Sequence, residues 1–423
     1  MSPRDAALLE LDAKSLPGWE SGLLEPRDIT LPDPRDRTLC EHIVAGVVKN
    51  FFLLDYLSSH YSKRDGAQIE PLCRKILAIG LYQLRFLDRV PPSAAVDEAV
   101  KQTRRFGRDR AAGFVNAVLR NAGRDAAPPL PGAATDPAEY ARAVLSHPSE
   151  LFNRVAALIG VEAALAYCRH NNTTPPTILR LSAGVKAEDL AGEALSLRPH
   201  SSAGMFVVEG ARQANLAEWA AAGLAQVQDP TAAAVVAAMG IQPHHRVMDR
   251  CCGMGTKTLQ MLEATEIVAV DPSGLRCTAL RRLLSARGIS RIKVLQTAML
   301  SGTHEKCDGR FDRILLDVPC SNSGVLARRA EARFAQDDET LASLARLQDA
   351  IVHDSADWVA PGGMMIYSTC SVWPAENQER IAAFLKARSE FELMDERITW
   401  PASDGDAAHY HDGGYVARLR RVR

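Results

Sequence analysis

The sequence predicts a multidomain protein: an all-α N-terminal domain, a small α+β middle domain, and a C-terminal α/β domain with a mostly parallel sheet. Three observations carry that expectation. At 423 residues the chain is longer than one ordinary core organises, since single cores stop growing near about 250–300 residues. Apolar residues recur at helical spacing from about Thr38 to Arg124. From about Asp229 onward, short β-rich runs alternate with helical stretches, which is the pattern of a sheet covered on both faces.

Residues 1–37 are rich in Pro and charge, with five basic and eight acidic side chains, and are expected to form an irregular leader with room for one short helix. Residues 38–124 are the helical domain. In IEPLCRKILAIGLYQL, Leu72, Cys73, Ile76, Gly80 and Leu84 fall on one face. Ala111, Phe114, Val115, Val118 and Leu119 repeat the pattern before Gly123, and Pro91-Pro92 separates two helices. Residues 125–137, DAAPPLPGAATDP, have linker composition. Residues 138–228 mix a helical stretch, LFNRVAALIGVEAALAYC, with the strand candidates TILRLS and MFVVEG. Residues 229–423 carry the alternating segment, with strands at RVMDR, IVAVD, IKVLQ, DRILLDV and GMMIYS. Helices are expected at TLQMLEA, LRCTALRRLLSARG, LASLARLQDAIVHDSADWV and ENQERIAAFLKARS.

Composition excludes several classes. Hydrophobic residues make up 47% and charged residues 24%, as in a globular protein. No apolar run approaches the roughly 18 residues of a membrane span, and the N-terminus lacks a basic segment leading into an apolar one. Nine cysteines without CxxC spacing predict reduced thiols in a cytoplasm rather than a zinc site or disulfide scaffold. His244-His245 has no third ligand nearby, so no metal is expected. Cys40, Cys73, Cys168, Cys277 and Cys307 are expected to pack as small apolar residues.

Net charge is −1, but residues 38–125 hold fourteen basic and nine acidic side chains, net +5. Arg104, Arg105 and Arg108 lie in the densest part of this excess. Such a patch is either an electrostatic footprint for phosphate or a solvated helix face.

The first strand of the last domain runs into RCCGMGTKT. Gly253 and Gly255 allow a tight turn and close approach to a ligand. Asp271 ends the second strand, 22 residues after Asp249, where an acidic side chain accepts hydrogen bonds from a ribose. The loop is not GxGxxG, and a plain strand-to-helix turn is the competing interpretation.

Together DRCCGMGTKT, LLDVPCSNSGVLARRAEARF and YSTCSVWPAENQ resemble the RNA cytosine-C5 methyltransferases of the RsmB/Nop2/Sun family. NNTTPPTILRLS and VQDPTAAAVVAAM match segments preceding the family's core, and the helical region resembles the NusB-like RNA-binding domain of bacterial RsmB-type members. The resemblance covers roughly residues 38–423. It implies a Rossmann-like domain binding S-adenosylmethionine, with Cys251, Cys252, Gly253, Met254, Gly255, Thr256 and Lys257 wrapping it and Asp271 on its ribose. Asp317 would face the junction of methyl donor and base, with Lys257 approaching the same region. Cys370, in STCS, would be the nucleophile, and Cys320, in DVPCS, would assist release. DNA-type enzymes place the nucleophile in Pro-Cys instead, but Pro374 and Glu376-Asn377 favour the RNA-type arrangement.

Three departures bear on the cofactor. The family loop reads C-A-A-P-G-G-K, whereas Cys252, Gly253, Met254 and Thr256 stand here. Ala298 occupies the place of an acidic residue that contacts adenine. The D-G-F-F signature is Asp412-Gly413-Gly414-Tyr415. Arg328, Arg329 and Arg333, after the Cys320 motif, are expected either to hold phosphates of the entering strand or to form an exposed basic face. Small-subunit ribosomal RNA is the expected substrate, and transfer RNA is the enzymatic alternative. An inactive RNA-binding or ribosome-assembly factor is the non-enzymatic one. A cytoplasmic monomer without membrane contact is expected.

Overall fold

The computed structural model describes residues 1–26, 28–124, 128–190, 195–210, 213–300 and 310–422. The chain divides into two compact units, Met1–Asn172 and Thr173–Arg423.

The first unit is helical throughout: α1 (Pro3–Asp12), α2 (Pro34–Lys49), α3 (Phe51–Ser62), α4 (Pro71–Phe86), α5 (Pro92–Arg105), α6 (Ala112–Arg124), α7 (Pro137–Ala143), α8 (Ser149–Ile159) and α9 (Val161–Asn171). The expected buried face of α4 is real, and Leu72, Cys73, Ile76 and Gly80 are buried. Gly80 lets α6 pack close, since a Cβ on it would stand 2.6 Å from a methyl of Leu119 and displace that side chain.

Residues 1–37 hold the one short helix for which the sequence left room, α1, and it is docked rather than loose. Ser2 caps α1 by accepting from the Asp5 N–H, and Ala6, Ala7, Leu8 and Leu11 are fully buried. Asp12 then forms a buried ion pair with Lys75 of α4. The Asp12 carboxylate also accepts from the Leu24 N–H at 2.8 Å. A ten-residue helix flanked by Pro and charge carries too few periodic positions to announce a docked face. Helices α7–α9 also belong to the first unit, where α7 packs on α3. Thus the strands of residues 138–228 lie in one unit and most of its helices in the other.

The second unit begins with β1 (Ile178–Leu181), β2 (Ser196–Pro199), β3 (Met205–Glu209), α10 (Gln213–Ala222), β4 (Ala225–Val227) and α11 (Pro230–Ala237). The four strands form an antiparallel sheet in the order β2-β3-β1-β4. The larger sheet uses β5 (Arg246–Asp249), β6 (Glu266–Asp271), β7 (Ile292–Gln296), β8 (Phe311–Asp317), β9 (Val359–Thr369), β10 (Phe391–Thr399) and β11 (Gly414–Arg421). Its helices are α12 (Gly274–Ala286), α13 (Asp338–Ala356) and α14 (Gln378–Ala387).

Strand order is β10-β11-β9-β8-β5-β6-β7, with β5 to β9 parallel and the β10–β11 edge antiparallel. Successive residues alternate between two cores, as a strand's period of two dictates. Met248, Ile314 and Met365 face α13 and α14, whereas Val247, Leu315 and Ile366 face α11 and α12. The stretch TLQMLEA, expected as a helix, makes a single 3-10 turn at Thr258–Met261, because β6 already starts at Glu266.

Candidate active site

The carboxyl ends of β5, β6, β8 and β9 converge where strand order reverses between β5 and β8. Ligands of open α/β sheets bind at such a point. Asp317 ends β8 and Thr369 ends β9, so the two Cys-Ser motifs leave adjacent parallel strands side by side.

Cys320 Sγ and Cys370 Sγ lie 3.1 Å apart. Asn322, in the left-handed region at φ 60°, accepts from Cys370 Sγ at 3.2 Å and donates to the Cys320 carbonyl at 3.0 Å. The Gly324 N–H donates to the Cys370 carbonyl at 2.8 Å, and the Gly413 N–H donates to the Gly324 carbonyl at 2.7 Å. A Cβ on Gly324 would stand 2.6 Å from the Gly413 backbone, so only glycine permits this contact.

Behind the sulfurs sits Glu376, which is fully buried. It accepts from the Ser321 N–H at 2.9 Å, from both the Ser321 and Ser371 hydroxyls, and from Gln348 at 3.0 Å. Each Cys is thus followed by a Ser because both serines grip the same carboxylate. Sequence reasoning noted Glu376 as part of a motif and gave it no role. Its spacing from the TCS segment was the available signal.

Asp317 accepts from Lys257 Nζ at 2.6 Å and from the Ser368 hydroxyl at 2.7 Å. Burial pulls the Lys257 ammonium down, but the carboxylate of Asp317 outweighs it and the net shift is upward. Lys257 is therefore a cation beside the thiols. The Cys320 thiol is pushed far above its usual range, first by its hydrogen bond to Cys370 and then by burial. Cys370, Lys257 and Asp317 line a cavity of about 50 Å³ with Ser368, Asp229 and Asp412, and Cys320 is outside that lining.

Arg328 is exposed and at the same time paired with two carboxylates. It binds Asp412 at 2.6 Å and lies 3.5 Å from Asp229, and both carboxylates border the cavity. Burial, then the neighbouring Asp229, raises Asp412 to about 6. Arg333 is fully buried, so it cannot touch an entering strand. The short 3-10 turn that carries it turns that side chain inward. Arg329 and Arg104 are exposed, Arg105 pairs with Asp5, and Arg108 pairs with Glu70 at 2.8 Å.

In the Gly loop, Gly253 and Gly255 take φ of 53° and 88°. The Gly253 N–H donates to Asp271 at 3.1 Å, tying the loop to β6. Asp249, at the loop's floor, accepts from Thr258 at 2.7 Å through one oxygen. Its other oxygen is buried without a hydrogen bond of normal geometry, and burial raises the carboxyl to about 6. An orphaned acceptor invites a donor-bearing, cationic ligand. Met254, Leu275 and Met299, after β5, β6 and β7, are exposed and offer apolar surface at the same rim. Burial lifts Cys251 to about 12 and Cys252 higher still, so neither is a ready nucleophile.

Arg250 is buried and spans from the loop to the backbone after β7. It donates to the Ala298 carbonyl at 2.5 Å and pairs with Asp354 of α13 at 3.1 Å. Asp354 in turn accepts from the Leu300 N–H at 2.7 Å. The clamp thus holds the backbone around Ala298. Cys40, Cys73, Cys168 and Cys277 are buried, and Cys307 lies outside the described residues. No metal-binding cluster and no membrane-length apolar helix occurs among the described residues.

Comparison with known proteins gives consistent matches. The model of the family described as 16S rRNA methyltransferase RsmB/F matches residues 236–418, and that of the NusB family matches residues 19–124. A protein named ribosomal RNA small subunit methyltransferase B, from Pseudomonas putida, is 31% identical, covering 100% of this chain and 99% of its own. A probable ribosomal RNA small subunit methyltransferase B from Bacillus subtilis is 28% identical, covering 92% and 91%. Among solved structures, that of PH0851 aligns with a TM-score of 0.75 at 20% identity, covering 92% of this chain and 91% of that one. NSun6 from Pyrococcus horikoshii aligns at 0.54 and 17%, covering 65% and 98%. The two structures share the fold.

Proposed function

The chain belongs to the 16S rRNA methyltransferase RsmB/F family, and from that premise we propose that it methylates carbon 5 of a cytosine in small-subunit ribosomal RNA, in the cytoplasm. S-adenosylmethionine, bound between the Gly loop and Asp317, supplies the electrophilic methyl group. The residues that would hold it are the loop backbone from Cys251 to Lys257 and Asp271 toward its ribose, with the buried carboxylate of Asp249 as a negative charge beneath its cationic end.

Cytosine carbon 5 is a poor nucleophile because the ring is electron-deficient. The Cys370 thiolate adds to carbon 6, which turns the C5–C6 bond into an enamine whose carbon 5 takes the methyl group. Asp317 hydrogen-bonds the base near N3 and N4, and Lys257 holds positive charge beside the thiolate. Solvent water takes the carbon 5 proton, the C–H electron pair re-forms the C5–C6 double bond, and the Cys370 sulfur leaves carbon 6 as a thiolate. Cys320, kept as a thiol 3.1 Å away, assists that release.

The observation that best supports these roles is the shared cavity: Cys370 lines it with Asp317 and Lys257, and Cys320 does not. The target base is unpaired or drawn out of its stack to reach it. Bisulfite sequencing of ribosomal and transfer RNA from a deletion strain tests the substrate. Loss of methylation at a small-subunit cytosine is expected. Loss confined to transfer RNA would reassign the substrate, and no loss anywhere would overturn the activity.

A further inference from the structure

A second cleft lies in the same unit, away from both thiols. It encloses about 630 Å³ between β1 and β4 on one side and the segments Leu259–Glu263 and Ala286–Arg291 on the other. Its charged lining is Arg180, Arg287 and Arg291 against a single carboxylate, Glu263. Among the described residues none of the three arginines has a carboxylate within ion-pair distance, whereas Arg246, Arg250, Arg328, Arg380 and Arg388 of this unit all do.

The arginines are placed rather than loose. Arg180 Nε donates to Gln228 at 2.7 Å, and Gln228 donates to Gln260 at 2.8 Å. Arg287 donates to the Ala220 carbonyl and packs beside Gly223, while Arg291 is exposed at the rim. Burial depresses Arg180 and Arg287, since their charged forms are partly desolvated without a counter-ion. Uncompensated guanidinium groups in a polar cleft of ligand size are a site for an anion.

Most of the cleft lies toward the amino-end edge of the parallel strands, since Glu263 precedes β6 and Arg291 precedes β7, and Gln228 and Gln260 lead from it toward the base cavity at the carboxyl ends. Gln228, which anchors Arg180, is followed in the chain by Asp229, which lines that cavity. Gln260 is three residues past Lys257, which lines it too. A folded RNA that places one base at Cys370 extends well beyond it and meets this face of the unit with more distant phosphates. We propose that this cleft holds phosphate groups of the RNA substrate away from the target cytosine, an inference that rests on the RNA-methylating function above.

The experiment measures binding of small-subunit RNA by fluorescence anisotropy across a potassium chloride series, using the full chain and the variants Arg291→Gln and Arg180→Gln. Each variant is expected to bind RNA several-fold more weakly. Its log–log salt slope should be shallower by about 0.7–1 per arginine removed. S-adenosylmethionine affinity should be unchanged, and methyl transfer should recover at saturating RNA. Arg291→Gln, being on the exposed rim, keeps the test valid if Arg180→Gln fails to fold. Wild-type affinity and slope in Arg291→Gln would overturn the proposal and leave the enzymatic function standing. Absence of methyl transfer in the wild type would instead remove that function. Inorganic phosphate alone should give no saturable heat in calorimetry with the wild type. Saturable binding that Arg291→Gln abolishes would assign the cleft to free phosphate and overturn the RNA assignment.

Discussion

Cys320 and Cys370 place their sulfur atoms 3.1 Å apart, yet only Cys370 lines the cavity beside Asp317. That asymmetry predicts different consequences of removing each thiol. Cys370→Ala should lower methyl transfer by about a thousandfold or more, as loss of a covalent nucleophile does, with cofactor affinity near normal. Cys320→Ala should retain attack and lose release, so a covalent protein–RNA adduct should accumulate on a denaturing gel. An adduct formed by the Cys370 variant instead would exchange the two roles.

Glu376 predicts a stability effect at the same place. Glu376→Ala leaves Ser321, Ser371 and Gln348 buried without their acceptor. Each such group costs about 1–3 kcal/mol, so a loss of at least about 3 kcal/mol is expected. For a unit of this size that lowers the unfolding midpoint by about 6 °C or more. Glu376→Gln keeps the volume and one acceptor oxygen, and should fall between. A thermal melt of Glu376→Ala that overlays the wild type would show that the serines find other partners.

The sequence was most informative where one periodicity dominates. The five parallel strands and helices α4, α6, α12, α13 and α14 stand where spacing put them, because each helix presents one apolar face to a core and each strand is apolar on both of its faces. The docking of α1 was hidden because its partner, Lys75, is 63 residues away and carries charge, and hydropathy spacing reports neither fact. Arg333 misled for a related reason, being fully buried within a run of arginines. An arginine run near a catalytic motif looks like a phosphate clamp, but the partners of Arg328 at Asp412 and Asp229 are far off in sequence and only the fold reveals them. The thiol pair was legible through its motifs, whereas the carboxylate joining their serines needed the three-dimensional contact.

Arg250 predicts an effect on both folding and cofactor binding. Removing one member of a buried ion pair strands the other, typically costing about 3–5 kcal/mol. Arg250→Ala should therefore destabilise the chain by about that much in urea titrations. The double variant Arg250→Met, Asp354→Leu should recover a large part, since no buried charge remains. Because the clamp fixes the backbone at Ala298 and Leu300, the stable double variant should still bind S-adenosylmethionine more weakly in calorimetry. Wild-type affinity there would mean that the loop holds its position without the clamp.

Asp249 predicts a pH dependence with a definite sign. Its carboxyl is raised from an ordinary value near 3.8 to about 6, by burial first. In the free protein its contribution to stability is present below about 3.8 and lost as pH rises through about 6, because the folded state holds the proton more tightly. Cofactor binding runs the other way. The ionised carboxylate, with one oxygen unpaired, attracts a ligand bearing ammonium and sulfonium charge. Affinity should be full above pH 6 and should weaken toward about tenfold per unit below it. Asp249→Asn keeps the shape and the contact with Thr258 while removing the titration, so its calorimetric affinity should be weaker at pH 7.5 and flat down to pH 5. An unchanged slope in that variant would assign the proton to another group at the site.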